Sequence, residues 1–143
     1  MRLLALALAS VLAVLAAIHL YWAAGGRLAR AAAVPHLGAR PMITPGPLAC
    51  VAVAALLLAA ALLLLGRSGA LSLPGPDWLA VAGTWTVGVV FVLRSIGDFR
   101  FFGLFRHVTG TAFARNDALF YTPLCILVAI GTLCVAWGGR GAR

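Results

Sequence analysis

Apolar residues run through this chain in four blocks, each about the length of a bilayer crossing, roughly 20 residues. They cover Leu3–Ala24, Leu48–Leu65, Trp78–Ile96 and Leu119–Trp137. Polar and turn-forming residues collect between them. The first block ends in Tyr21, Trp22 and Gly25-Gly26, the second is introduced by Pro41, Pro45 and Pro47, and Gly66-Arg67-Ser68-Gly69 closes it. Pro47 suits a first helical turn. Pro74-Gly75-Pro76-Asp77 precedes the third block, where Asp77 is expected to cap a helix N-terminus. Asn116 or Asp117 could do the same for the fourth. The pattern predicts an all-α integral membrane four-helix bundle, a single domain over residues 1–143 with no internal repeat. Arg2 followed by an apolar stretch imitates a signal peptide, but His19, Tyr21 and Trp22 fit a cleavage region poorly.

Composition agrees with membrane insertion. Of 143 residues, 64% are hydrophobic and 10% charged, more apolar surface than a soluble core of this size requires. The net charge of +8 comes entirely from arginines standing singly or in loose pairs between apolar runs, which is how loops and headgroup contacts look. No nucleic-acid partner is expected. Cys50, Cys125 and Cys134 form no Cys-x-x-Cys pair and read as free thiols in apolar surroundings. His19, His36 and His107 have no metal-ligand spacing, so neither a metal nor a cofactor is expected.

Four crossings bring the first and third connections to one membrane face. His19, Tyr21, Trp22, Arg27, Arg30 and His36 arrive there from the first connection. Arg94, Asp98, Arg100, Arg106, His107, Arg115, Asp117 and Tyr121 arrive from the third. Arg40 adds to the same face, while Arg2, Arg67, Asp77, Arg140 and Arg143 belong to the other. The arginine excess then places the loaded face in the cytoplasm. An ionisable side chain at bilayer depth costs about 2.5–3.5 kcal/mol on insertion scales, which makes such a group a functional candidate.

Several pairings are expected on helical spacing. Arg94 and Asp98 are four residues apart and would form an ion pair extending toward Phe102, while Asp117 and Tyr121 would share another face. His19 and Trp22 share a face of the first helix, and His19 is either a satisfied core histidine or a group facing a cavity under the third connection. Thr84 and Thr86 are expected to bond back to carbonyls of their own helix. The aromatic and arginine-rich segment 97–106 either lies in the headgroup plane or folds back as a lid.

The strings Ile18-His19-Leu20-Tyr21-Trp22, Gly97-Asp98-Phe99-Arg100-Phe101-Phe102-Gly103-Leu104-Phe105-Arg106, Gly110-Thr111-x-Phe113-Ala114-Arg115-x-Asp117 and Tyr121-x-Pro123-Leu124-Cys125 resemble a family of small four-helix bacterial membrane proteins of unknown function. In size and span number that family is similar to compact bacterial membrane terpene cyclases of indole-sesquiterpenoid and drimentine type. The resemblance implies a multi-pass protein of the bacterial cytoplasmic membrane that protonates and cyclises a prenyl chain on a lipophilic small molecule, without diphosphate or Mg²⁺.

Such chemistry needs a protonated carboxyl group, with Asp98 as first choice and Asp117 as alternative acid or final base. Burial would raise the pKa of Asp98 and a nearby arginine would lower it. His19, Arg94 or Tyr121 would orient the acid. Tyr21, Trp22, Trp85, Phe91, Phe102, Phe105 and Phe120 would shield the carbocation, with Arg100 holding the polar headgroup. The alternative is a non-enzymatic module binding membrane lipid or a partner helix, or a small lipophile carrier. Alanine- and glycine-rich helices also permit homo-oligomers.

Overall fold

The computed structural model describes residues 1–37, 40–41 and 44–138. Arg30, Ala31, His36, Leu37, Arg40 and Pro41 are described by backbone alone, so the expected roles of Arg30, His36 and Arg40 side chains fall outside the described residues, as do Arg140 and Arg143. The chain is helical, with long helices α1 (Arg2–Ala23), α3 (Pro47–Arg67), α4 (Asp77–Ile96) and a final helical run over 112–138. Each is long and apolar enough to cross a membrane. Short α2 (Arg30–Ala33) and a two-residue antiparallel ladder, His36–Leu37 (β1) with Arg40–Pro41 (β2), occupy the first connection.

The final run starts seven residues earlier than its hydropathy suggests. It comprises α5 (Ala112–Asn116), a π-helical turn (Asp117–Tyr121) and α6 (Thr122–Gly138). The cap is Thr111, whose side chain accepts a hydrogen bond from the Ala114 amide at 3.0 Å. Asn116 and Asp117 therefore lie inside the run and do not cap it. The wide turn has a local cause. Pro123 has no N–H and its ring crowds a carbonyl of the preceding turn, a strain that a π turn relieves. Asp77 also departs from expectation: Pro76 holds the cap position and Asp77 is the first helical residue, with no side-chain cap bond. Its charge still complements the helix N-terminus.

Helix α1 packs mainly on α3, and α4 on α6. Their shared core is made of small and branched residues: Ala5, Leu8, Ala9 and Leu12 from α1, Ala60, Ala61 and Leu64 from α3, Val128 and Val135 from α6. Alanine at the contacts lets backbones approach, which supplies the dispersion contact that drives helix association in lipid. Thr84 and Thr86 donate to the Ala80 and Ala82 carbonyls at 2.7 and 2.9 Å, as their spacing predicts. At the opposite membrane face Arg67 donates to the Ala136 carbonyl through Nε (3.2 Å) and Nη2 (2.8 Å), joining α3 to the end of α6.

Candidate functional site

Asp117 is the polar centre of the loaded face. Its side chain is fully buried, and every group around it donates: Arg94 Nη2 to Oδ1 at 2.7 Å, the Gly103 amide to Oδ2 at 2.8 Å and Thr122 Oγ1 to Oδ2 at 2.9 Å. Arg106 Nη1 approaches Oδ2 at 3.5 Å and donates more closely, at 2.8 Å, to the Gly103 carbonyl. This is the environment of an ionised acceptor, in which opposite charge and hydrogen bonds offset the cost of burial. One carboxylate thereby ties α4, the third connection and α6 together.

The π turn decides which residues meet Asp117. Its five-residue step turns Thr122 toward the carboxylate, and the Thr122 amide also donates to the Asp117 carbonyl. Tyr121, expected beside Asp117, instead reaches the Ala32 carbonyl at 3.4 Å and tilts against Phe113. Thr122 and Gly103 are not among the residues the sequence singles out, and Arg106, expected at this face, had no expected pairing with Asp117. A threonine five residues after an aspartate meets it only when the helix widens, and Pro123 was the sole signal of that.

Asp98 is not paired with Arg94. Helix α4 stops at Ile96, and Gly97, at φ 92°, turns the chain so that Asp98 leaves the helical face that Arg94 occupies. The exposed Asp98 Oδ1 instead accepts the amides of Arg100 (3.0 Å), Phe101 (2.7 Å) and Phe102 (3.1 Å). Its slight burial is the largest single influence and raises its pKa, but the amides of Phe102, Phe101 and Arg100 together outweigh it, leaving the carboxyl below the ordinary aspartate value. Asp98 organises a turn and is poorly suited to donate a proton.

The connection that Asp98 organises is folded back on the bundle. Leu104 N–H donates to the Ser95 carbonyl at 2.8 Å and Val108 N–H to the Arg100 carbonyl at 2.9 Å. Gly103, at φ 89°, is pressed against the backbone of Ile96 and Gly97, where a Cβ atom has no room. Of the two arrangements open for segment 97–106, the structure has the folded-back one.

Most predicted aromatic site residues do not line a cavity with Asp117. Phe105 and Phe120 are more than half exposed, Phe105 stacking on Phe99 instead. Trp85 meets Trp137 edge-on, and Phe91 packs on the core. Phe102 lies under the Arg94 guanidinium, 4.5 Å from its ring centre, and Arg100 covers Phe101 at 5.0 Å. His19 and Trp22 form an edge-to-face pair, with His19 Nδ1 2.8 Å from the Leu15 carbonyl and Trp22 Nε1 donating to the Leu28 carbonyl at 2.9 Å. They border a 150 Å³ cavity with Ala33, Val34, Pro45 and Cys50, beneath the first connection and not the third. Exposed Tyr21 accepts from the Leu28 amide at 3.4 Å.

Two adjoining cavities flank the Asp117 network. One of about 740 Å³ has a mixed lining, with Arg106, Thr109, Thr111, Arg115 and Asn116 beside Ala112, Ala114 and Ala118. An apolar one of about 400 Å³ runs beside α6, lined by Leu104, Thr122, Pro123, Ile126 and Leu127. Arg106 and Ala118 line both, so the two adjoin along a furrow that is mixed in character at one end and mainly apolar at the other. Among the described residues, no three His, Cys, Asp or Glu side chains gather as a metal site would require.

No curated protein and no solved structure matches this chain. A family model described as protein of unknown function (DUF3995) matches residues 12–132, a stretch that holds α1 from its middle, the folded-back connection, Asp117 and all four of its partners. The chain is a member of the DUF3995 family, and the buried carboxylate with its furrow lies wholly inside the family's domain.

Proposed function

We propose that this protein is a membrane-embedded binding module for a lipophile with a polar head, taken sideways from the bilayer into the furrow beside α6. The observation that carries this reading is the sharing of Arg106 between a cavity that also holds Arg115, Thr109 and Asn116 and a groove that is mainly apolar, an arrangement complementary to an amphiphile. The Asp117 network supports it by holding the groove wall: Gly103 fixes Leu104 on one side and Thr122 fixes the start of α6 on the other. Monoolein, an uncharged single-chain amphiphile, tests the groove when retention by the purified protein is followed by native mass spectrometry. Leu127→Trp, at a mostly exposed position where folding tolerates change, should weaken retention about tenfold, equivalent to about 1.4 kcal/mol of lost contact. Unchanged retention would overturn the reading.

Acid-initiated cyclisation of a prenyl chain is the second reading, favoured by one observation: Thr122 borders the apolar groove while its hydroxyl contacts Asp117. In that scheme one carboxyl gives its proton to the terminal alkene and takes one back from the final carbocation, so no proton is consumed. Asp117, an acceptor in every contact, suits the return step, and the first step requires that it enter the cycle carrying the proton. Purified protein incubated with prenylated indoles is the test. A chromatographic shift at constant mass that Thr122→Val abolishes would establish cyclisation, and the absence of product would remove it.

A further inference from the structure

Charge around the furrow is unbalanced. Asp117 offers one negative charge to two guanidiniums, and Arg94 at 2.7 Å holds it far more closely than Arg106 at 3.5 Å. Arg106 also has a buried Nε with no hydrogen-bond partner. Across the same cavity stands the exposed Arg115, which forms no ion pair with a described carboxylate. Asp98, the acid nearest Arg106 in sequence, spends its bonded oxygen on backbone amides. Arg106 and Arg115 thus border one cavity, and the carboxylate that Arg106 approaches, Asp117, is held chiefly by Arg94.

We infer that the furrow selects a membrane-borne phosphate amphiphile, with the phosphate between Arg106 and Arg115 and the chain along Leu104, Ile126 and Leu127. The inference rests on the binding reading above and names its ligand class. Guanidinium forks match phosphate oxygens in pairs, and a phosphate has enough oxygens to engage two arginines at once. Thr109 and Asn116, in the same lining, add neutral donors. The groove beginning at Arg106 makes a lipid-borne phosphate the better fit than free phosphate, because only the former fills both halves.

Oleoyl lysophosphatidate and monoolein share a chain and differ by the phosphate, so native mass spectrometry of the purified protein with each isolates the head. Wild type should hold lysophosphatidate about tenfold more tightly than monoolein, and rising salt should erode that preference. Arg115→Gln, at an exposed position outside the Asp117 network, should bring the two affinities close to parity, read as the lysophosphatidate-to-monoolein ratio within the variant itself. Equal affinities in wild type, or a preference that survives Arg115→Gln, would overturn the phosphate assignment. Inorganic phosphate binding as tightly as lysophosphatidate would overturn the amphiphile. Failure of both lipids to bind, by contrast, would strike the underlying binding reading itself.

Discussion

Thr122 gives both of its hydrogen-bond donors to Asp117: its amide to the backbone carbonyl across the π turn, and its hydroxyl to Oδ2 at 2.9 Å. The same residue lines the groove, so a change at Thr122 reads out both the network and the ligand surface. Thr122→Val keeps the shape and removes the hydroxyl. Oδ2 retains the Gly103 amide, so the expected loss is about 1 kcal/mol, measured by reversible unfolding in mixed detergent.

Asp117→Ala leaves Arg94 and Arg106 without their carboxylate. Removing one partner of a buried ion pair costs about 3–5 kcal/mol, and the 30% exposure of the Arg94 side chain points to the lower end of that range. Asp117→Asn should fall between wild type and alanine, because its oxygen still accepts while its amide confronts donors. A cycle with Arg94→Ala should show strong coupling, whereas Arg94→Ala combined with Asp98→Ala should be additive.

Gly103→Ala places a methyl group where the backbones of Gly97 and Gly103 meet, at a φ that an L-residue avoids. More than about 1 kcal/mol should be lost, with faster hydrogen exchange in segment 97–106 while the four spans stay protected. Gly110→Ala shares the positive φ but has open space around it, so it separates backbone strain from collision.

Acid should loosen the third connection. Because the folded-state pKa of Asp98 is depressed, its contribution is complete above the ordinary aspartate value, about 3.9, and disappears as pH falls through the lower folded value. Protection factors at Arg100, Phe101 and Phe102, exchange rates taken relative to the intrinsic rate at each pH, should therefore fall below about pH 3.9. Asp98→Asn should show lowered protection already at neutral pH and little further loss on acidification.

The spans were legible because hydropathy over about 20 residues is set by the bilayer alone. Asp117 and Arg94 were legible for a related reason, since charge near an apolar run is costly and must be partnered. Their partnership was not. Four-residue spacing favours Arg94 with Asp98 and Asp117 with Tyr121, and both pairings presume helices that continue unbroken. Gly97 stops one helix, and the turn before Pro123 widens the other, so the partners form across 23 residues of sequence instead. The aromatic residues misled in another way: phenylalanines at a membrane boundary are equally stable facing lipid, so their density next to arginine does not indicate a lined pocket.

The clasp of Arg67 on Ala136 bears on how the furrow can breathe. Arg67 fastens α3 to the end of α6 at the face opposite Asp117, and Thr122 ties the start of α6 to Asp117, so this wall of the furrow is pinned at both ends. A lipid entering from the bilayer would then part side chains such as Leu104 and Leu127 rather than swing the helix.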